Sequence, residues 1–170
     1  ATLATLADPV AGAVPTPAPS PTPTVQPAPA CPNLVANGGF EAPRPAWQEE
    51  AGGSYPLIGD ENPRNGSAGA WLGQRDSTVD RLYQTVDVPA GAEDAALWFW
   101  WQVQTDEKSH LNDWLQVEVR TDGAAPQTVA QFSDARMQHS WSLARVPLGA
   151  YAGERITVAF VARTDMRDRS

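Results

Sequence analysis

Residues 95–105 read Ala-Ala-Leu-Trp-Phe-Trp-Trp-Gln-Val-Gln-Thr, a short segment rich in aromatic side chains. A period of two predicts a β-strand whose inward face carries Leu97, Phe99, Trp101 and Val103. The same period places Trp98, Trp100, Gln102 and Gln104 on the outward face. The strand therefore has aromatic side chains on both faces, although only one face of a sandwich sheet packs against the core.

Short alternating segments separated by turn residues continue on both sides of this strand. From Asn33 onward the pattern is typical of an all-β sandwich or barrel, and no stretch has the period of a helix. Two of these segments, 114–121 and 155–163, alternate clearly. In the first, the inward residues are Leu115, Val117 and Val119. In the second, the inward residues are Ile156, Val158, Phe160 and Ala162, and Val161 is outward. The other predicted strands span residues 34–41, 68–72, 81–88, 127–132 and 140–146.

The N-terminal part has a different composition. Nine of the 16 prolines fall within residues 1–32, which carry one charged side chain, Asp8. Proline at every second position from Pro15 to Pro23 fixes φ and removes backbone donors, which predicts an extended arm. Residues 1–14 are mildly apolar, and they form either a frayed terminus or a strand that pairs with a sheet. The sequence thus predicts an N-terminal segment at 1–14, a Pro/Thr-rich linker at 15–32 and a β-sandwich domain at 33–170.

The chain is acidic, with 20 Asp and Glu against 12 Lys and Arg and a formal net charge of -8. This balance argues against binding to nucleic acid and to anionic membrane surfaces. No run of 18 apolar residues occurs, so membrane insertion is not expected. The lone cysteine, Cys31, is either a spectator thiol or one half of a disulfide between chains.

Catalytic chemistry is not expected from this sequence. Its two histidines, His110 and His139, are far apart, and Cys31 lies in the linker, so a Cys–His pair is not indicated. The chain has no Gly-x-Ser-x-Gly elbow, no His-Glu-x-x-His motif and no glycine-rich phosphate loop. We therefore predict a protein that is not an enzyme and needs no catalytic cofactor.

Tryptophan on outward positions of the predicted strands requires a covering, because exposed aromatic surface lowers solubility. The candidate platform consists of Trp98, Trp100, Trp114, Gln102 and Gln116. A loop or the other sheet could pack over these side chains, which would make them part of the core. A sugar ring could stack on the indoles while the glutamines bind its hydroxyls. Another protein chain could dock there. The sequence does not choose among these three interpretations.

Several short motifs occur in a fixed order along the chain: Asn37-Gly-Gly-Phe-Glu41, Gly69-Ala-Trp-Leu-Gly73, Leu82-Tyr-Gln-Thr-Val86, Leu97-Trp-Phe-Trp100, Asp113-Trp-Leu-Gln-Val117 and Ile156-Thr-Val-Ala-Phe160. In that order they resemble the galactose-binding-like jelly-roll modules of bacterial secreted proteins, which are similar to carbohydrate-binding modules. The resemblance implies an all-β, two-sheet jelly-roll β-sandwich without catalytic activity, located outside the cell or on its surface. It also implies glycan binding and a structural calcium ion at Glu41.

The C-terminal end departs from that family. Its modules continue with a closing strand after the segment that resembles Thr164-Asp165, whereas this sequence reads Met-Arg-Asp-Arg-Ser170. A sandwich that lacks one strand, preceded by an apolar segment on a stiff arm, favours donor-strand exchange. Leu3, Leu6, Val10 and Val14 would then fill the groove of a neighbouring copy, and head-to-tail contacts would build an extracellular filament. The alternative is a secreted carbohydrate-binding module on a Pro-rich linker, with a polysaccharide or cell-surface glycan as its partner.

Overall fold

The computed structural model describes residues 32–42, 46–104, 113–133 and 140–165. Within these residues it has nine β-strands and one turn of 3-10 helix, Gly149–Tyr151. The strands are β1 Gln48–Glu50, β2 Ile58–Gly59, β3 Gly69–Ala70, β4 Val79–Asp87, β5 Ala96–Trp101, β6 Trp114–Thr121, β7 Gln127–Ser133, β8 Ser142–Pro147 and β9 Arg155–Arg163. All of their pairings are antiparallel.

Five strands form one sheet in the order β1-β4-β9-β6-β7, β5 pairs with β8 in a second sheet, and β2 pairs with β3. The central strand of the large sheet, β9, lies between β4 and β6 and pairs with both. Apolar side chains of the two larger layers meet in one core, so the described part of the chain is a β-sandwich, as predicted. The buried residues of this core are Val86, Val88, Leu97, Val117, Val119, Val146, Leu148, Ile156 and Val158.

The predicted alternation is confirmed from Leu97 to Trp101, but β5 ends at Trp101, so Gln102, Val103 and Gln104 lie beyond the strand. Leu97 is buried, and the ring of Phe99 lies 4.9 Å from that of Phe160. Trp101 points to the same side, and its ring lies 4.6 Å from the ring of Phe132. Val161 of β9 faces away from the core as predicted but is only 2% exposed, because β9 has a neighbouring strand on each side.

The predicted strand at residues 34–41 is wrong, because this segment forms bends and turns. Asn37 has a positive φ of 50°, and its side-chain amide closes the turn by accepting from Ala42 N–H (2.9 Å) and donating to Ala42 C=O (3.1 Å). The side chain of Gln84, on β4, binds both backbone groups of Ala36: Oε1 accepts from N–H (2.7 Å) and Nε2 donates to C=O (3.0 Å). A side-chain amide thus holds the segment where a strand pairing was expected.

A second cluster of buried side chains, Trp47, Leu57 and Leu82, lies under this turn segment. The indole of Trp47 packs between the rings of Phe40 (5.6 Å) and Phe160 (6.1 Å). Because Phe160 also packs against the main core, the two clusters are continuous.

Gly149, in the 3-10 turn, packs directly against the backbone of Glu93. A Cβ at position 149 would overlap the Glu93 carbonyl oxygen, and the Leu148 N–H that bonds Ala95 C=O (2.7 Å) fixes the adjacent backbone. We expect Gly149→Ala to lower the free energy of unfolding by about 3 kcal/mol, the upper part of the range for overpacking. Urea denaturation measures the loss.

Gly91→Ala is the matched control for that substitution. Gly91 has a φ of +83°, but a Cβ there meets nothing within 4 Å, so only backbone strain of about 1 kcal/mol is expected. Equal losses in the two variants would show that the contact with Glu93 is not tight.

The chain divides between Pro32 and Asn33 into two units, and the fold above is that of the second unit. The predicted donor-strand residues and the cysteine lie outside the described residues: Leu3, Leu6, Val10, Val14 and Cys31. Residues 166–170, which stand where the related modules continue with their closing strand, also lie outside them. The donor strand, the extended linker and the intermolecular disulfide therefore stay predictions. No helix within the described ranges is long and apolar enough to cross a membrane.

Candidate functional site

The outer face of the β5–β8 ladder carries exposed aromatic surface. Trp98 and Trp100 are 58% and 43% exposed, because the residues that alternate with them occupy the core. Directly across the ladder, Arg145 stands opposite Trp98, and Leu143 (49% exposed) stands opposite Trp100. We call these four side chains the tryptophan platform. Its two indoles follow each other along one strand with Cα atoms about 6.8 Å apart.

Two guanidinium groups lie over the indoles of this platform. The Cζ atom of Arg64 is 3.7 Å from the ring centre of Trp100, and that of Arg145 is 5.7 Å from the ring centre of Trp98. Both contacts are cation–π interactions. Arg64 partly covers Trp100, as the covering-loop interpretation anticipates, whereas Trp98 is the more open ring. Sequence reasoning missed Arg64.

The loop that carries Arg64 is attached to the sandwich on both sides of that residue. On one side, Asn62 Nδ2 donates to Gln102 Oε1 (3.1 Å). On the other side, Glu41 Oε1 accepts from the N–H groups of Ser67 (2.9 Å) and Ala68 (3.1 Å). Gln102 therefore helps to fix the loop that positions Arg64, whereas its predicted role as a platform residue stays a prediction.

Trp114 and Gln116 lie on a different surface from Trp98 and Trp100. They belong to β6 of the five-stranded sheet, whose inward side chains meet Leu97 of β5 in the core. The outward side chains of β5 and β6 consequently point in opposite directions. The five predicted platform residues do not form one surface, because strand alternation does not reveal which sheet a strand joins.

Several polar side chains on the outer face of the five-stranded sheet contact one another. Gln116 Nε2 donates to Gln131 Oε1 (2.9 Å), and the Arg81 guanidinium lies 5.2 Å from the ring centre of Tyr83. Burial, followed by a hydrogen bond with Glu50, raises the pKa of Tyr83. Trp114 is half-buried on this face. The β5–β8 platform is therefore the more open of the two surfaces.

A buried carboxylate that sequence reasoning also missed lies near the start of β4. Asp80 is 0% exposed, and its Oδ1 accepts from Gly52 N–H (2.8 Å) and from the Tyr55 hydroxyl (2.7 Å). Its Oδ2 accepts from Gly73 N–H (2.8 Å). Burial is the main reason that the pKa of Tyr55 is raised. Asp80 thus joins two loops to β4.

A shallow depression of about 490 Å³ lies next to this carboxylate and is lined by Glu49, Ala51, Gly53, Ser54, Tyr55 and Pro56. Two of its polar side chains bind the protein's own loops and strands: Tyr55 donates to Asp80, and Glu49 accepts from Leu57 N–H (2.7 Å). These groups are committed to the protein's own loops, so the depression is a weaker candidate site than the platform.

Glu41, the predicted calcium ligand, is exposed, and its carboxylate accepts hydrogen bonds from the backbone N–H groups of residues 67 and 68. The hydrogen bonds from these two backbone N–H groups lower the pKa of its carboxyl. Among the described residues, no three His, Cys, Asp or Glu side chains are grouped so that they could hold a metal ion. Calcium binding at Glu41 stays a prediction.

No protein-family model and no curated protein matches the sequence. The fold is similar to that of a solved structure, the carbohydrate-binding module TmCBM61 in complex with β-1,4-galactotriose. The two chains are 16% identical, the TM-score is 0.53, and the match covers 81% of this chain and 91% of the module. This likeness confirms the predicted jelly-roll β-sandwich.

Proposed function

We propose that the sandwich domain is a non-catalytic, extracellular module that binds polysaccharide on the tryptophan platform. One observation carries the proposal: two exposed tryptophans follow each other on the outer face of one strand. A flat indole offers a rigid apolar surface on which the C–H face of a sugar ring can stack. Polar side chains around such a surface supply the hydrogen bonds that orient a ligand.

The size of the platform favours a sugar over a protein partner. Its exposed apolar side chains are Trp98, Trp100 and Leu143. Stable protein–protein interfaces bury a total of about 1,200–2,000 Å² around a larger apolar centre. Three apolar side chains on a two-stranded ladder are too few for such a centre, whereas they match one or two sugar rings.

The solved complex of TmCBM61 supports the same proposal, because a protein of this fold holds a galactose trisaccharide. A similar fold does not by itself fix the ligand or the position of its site. The proposal therefore depends on the exposed side chains of this chain, and the Pro-rich residues 15–32 would serve as its linker.

Trp98→Ala is expected to weaken polysaccharide binding about tenfold or more, because it removes the more open stacking surface. Electrophoresis in native gels that contain soluble β-1,4-galactan, or other neutral and acidic polysaccharides, measures the binding as a loss of mobility. Because Trp98 is 58% exposed, the variant should keep the thermal stability of the parent.

Trp114→Ala makes the same substitution on the opposite face and should leave the mobility shift unchanged. A loss of binding with Trp114→Ala but not with Trp98→Ala would place the site on the five-stranded sheet and refute this proposal. A parent protein that no polysaccharide retards would refute polysaccharide binding altogether.

The filament hypothesis has no comparable support. The residues that it assigns as donor strand lie outside the described ranges, and the similar structure is a carbohydrate-binding module. Self-association through residues 1–14 therefore stays a prediction from the sequence.

A further inference from the structure

Two arginines at the platform, Arg145 within it and Arg64 stacked on its Trp100, are distinctive in an acidic protein. The chain has 20 acidic and 12 basic side chains, yet a guanidinium group lies over each of the two exposed indoles. Within the described ranges, Arg155 has a carboxylate partner, Asp87, at 3.7 Å. Neither Arg64 nor Arg145 has a carboxylate within 4.0 Å among those same residues. The platform therefore combines apolar surface with two positive charges that the described part of the protein does not neutralise.

Stacking leaves the hydrogen-bonding capacity of these groups available. The five N–H donors of a guanidinium lie in its plane, while the stacked indole contacts only one of its flat faces. One donor of Arg64 is taken once the Asn65 amide is turned so that its oxygen faces Arg64, because Nη1 then lies 3.0 Å from that oxygen. The remaining donors match the two oxygens of a carboxylate, which a guanidinium binds in a paired geometry.

Arg64 is held in place before any ligand arrives. Stacking on Trp100 fixes its guanidinium group, the bond from Asn62 to Gln102 fixes the loop before it, and Glu41 fixes the loop after it. A charged group that is already ordered loses less side-chain entropy when it binds. This arrangement favours a ligand that places an anionic group next to a stacked ring.

We propose that the polysaccharide bound on the platform carries carboxylate groups on its sugar rings, as uronic-acid polymers do. A ring of the polymer stacks on Trp98, and Arg145 and Arg64 bind its carboxylates. This inference rests on the proposed function, because it names the class of polysaccharide for the same surface.

The test compares polygalacturonate with its carboxyl-reduced derivative in native affinity gels. The two polymers share a backbone and differ in the carboxylate alone. The parent should bind polygalacturonate about tenfold more tightly than the reduced polymer, with about threefold from each of the two arginine contacts. Arg145→Gln and Arg64→Gln should each reduce this preference to about threefold or less. Arg120→Gln removes the same charge from the outward face of β6 and should leave the preference unchanged.

The outcomes separate this inference from the proposed function. Equal binding of both polymers, with loss of both in Trp98→Ala, would overturn the carboxylate preference and leave polysaccharide binding intact. A preference that survives in both arginine variants would also overturn the assignment of these residues. Retention by neither of these polymers nor by the neutral polysaccharides would overturn the proposed function itself.

Discussion

Asp80→Ala is expected to lower the free energy of unfolding by about 3–5 kcal/mol. The substitution leaves the Gly52 N–H, the Gly73 N–H and the Tyr55 hydroxyl without their acceptor in a site that is 0% exposed. A buried donor that loses its partner costs about 1–3 kcal/mol, and three donors lose theirs together. Equilibrium denaturation in guanidinium chloride measures the effect.

Two further variants make this result specific. Asp80→Asn keeps the volume and one acceptor oxygen but turns an NH₂ group toward backbone donors, so we expect an intermediate loss. Asp87→Ala removes an exposed carboxylate from the same strand, where the side chains of Arg155 and Asp87 are 62% and 76% exposed, and should have a negligible effect. An unchanged midpoint for Asp80→Ala would contradict the anchoring role.

Trp47→Ala is expected to cost about 3–5 kcal/mol, the range for deleting a large buried aromatic side chain. Trp47 is 6% exposed, contacts the rings of Phe40 and Phe160, and donates from Nε1 to Asn37 C=O (3.0 Å). Its loss would open a cavity and also release the turn segment that covers the second cluster. Urea denaturation, followed by circular dichroism, measures the change.

Trp47→Phe should cost less than Trp47→Ala, because a ring still fills most of the cavity while the bond to Asn37 is lost. Trp98→Ala is the matched exposed control, and its cost should stay within about 0.5 kcal/mol. If the two alanine variants lost equal stability, Trp47 would not be a core residue.

The alternation of side chains predicted most of the sandwich because burial on one face imposes a period of two. β5 and β6 follow this period, whereas β9 is buried on both faces because it lies between two other strands. β6 and β9 have the predicted bounds. The alternation of side chains wrongly predicted a strand at residues 34–41, where side-chain amides rather than a neighbouring strand form hydrogen bonds with backbone groups. It also missed β1 and β2, which have only three and two residues and are too short to show a period.

The candidate site was predictable in part. The prediction that Trp98 and Trp100 point outward from their strand was correct. Alternation within one strand, however, could not show that Trp114 belongs to the opposite surface, because it does not reveal which sheet a strand joins. No local signal links Arg64 to Trp100, because the contact depends on how a distant loop folds. Asp80 did leave a signal that was overlooked. It shares its face of β4 with Leu82, and a carboxylate at an inward position indicates a buried anchor.

The central place of β9 has a consequence for the order of assembly during synthesis. Strands β4 and β6 are neighbours only through β9, so the five-stranded sheet cannot form until Arg163 has left the ribosome. Translation at about 5–20 residues per second therefore leaves the earlier strands with unpaired edges for several seconds. Any nascent chain that stops short of β9 would expose those edges to its neighbours.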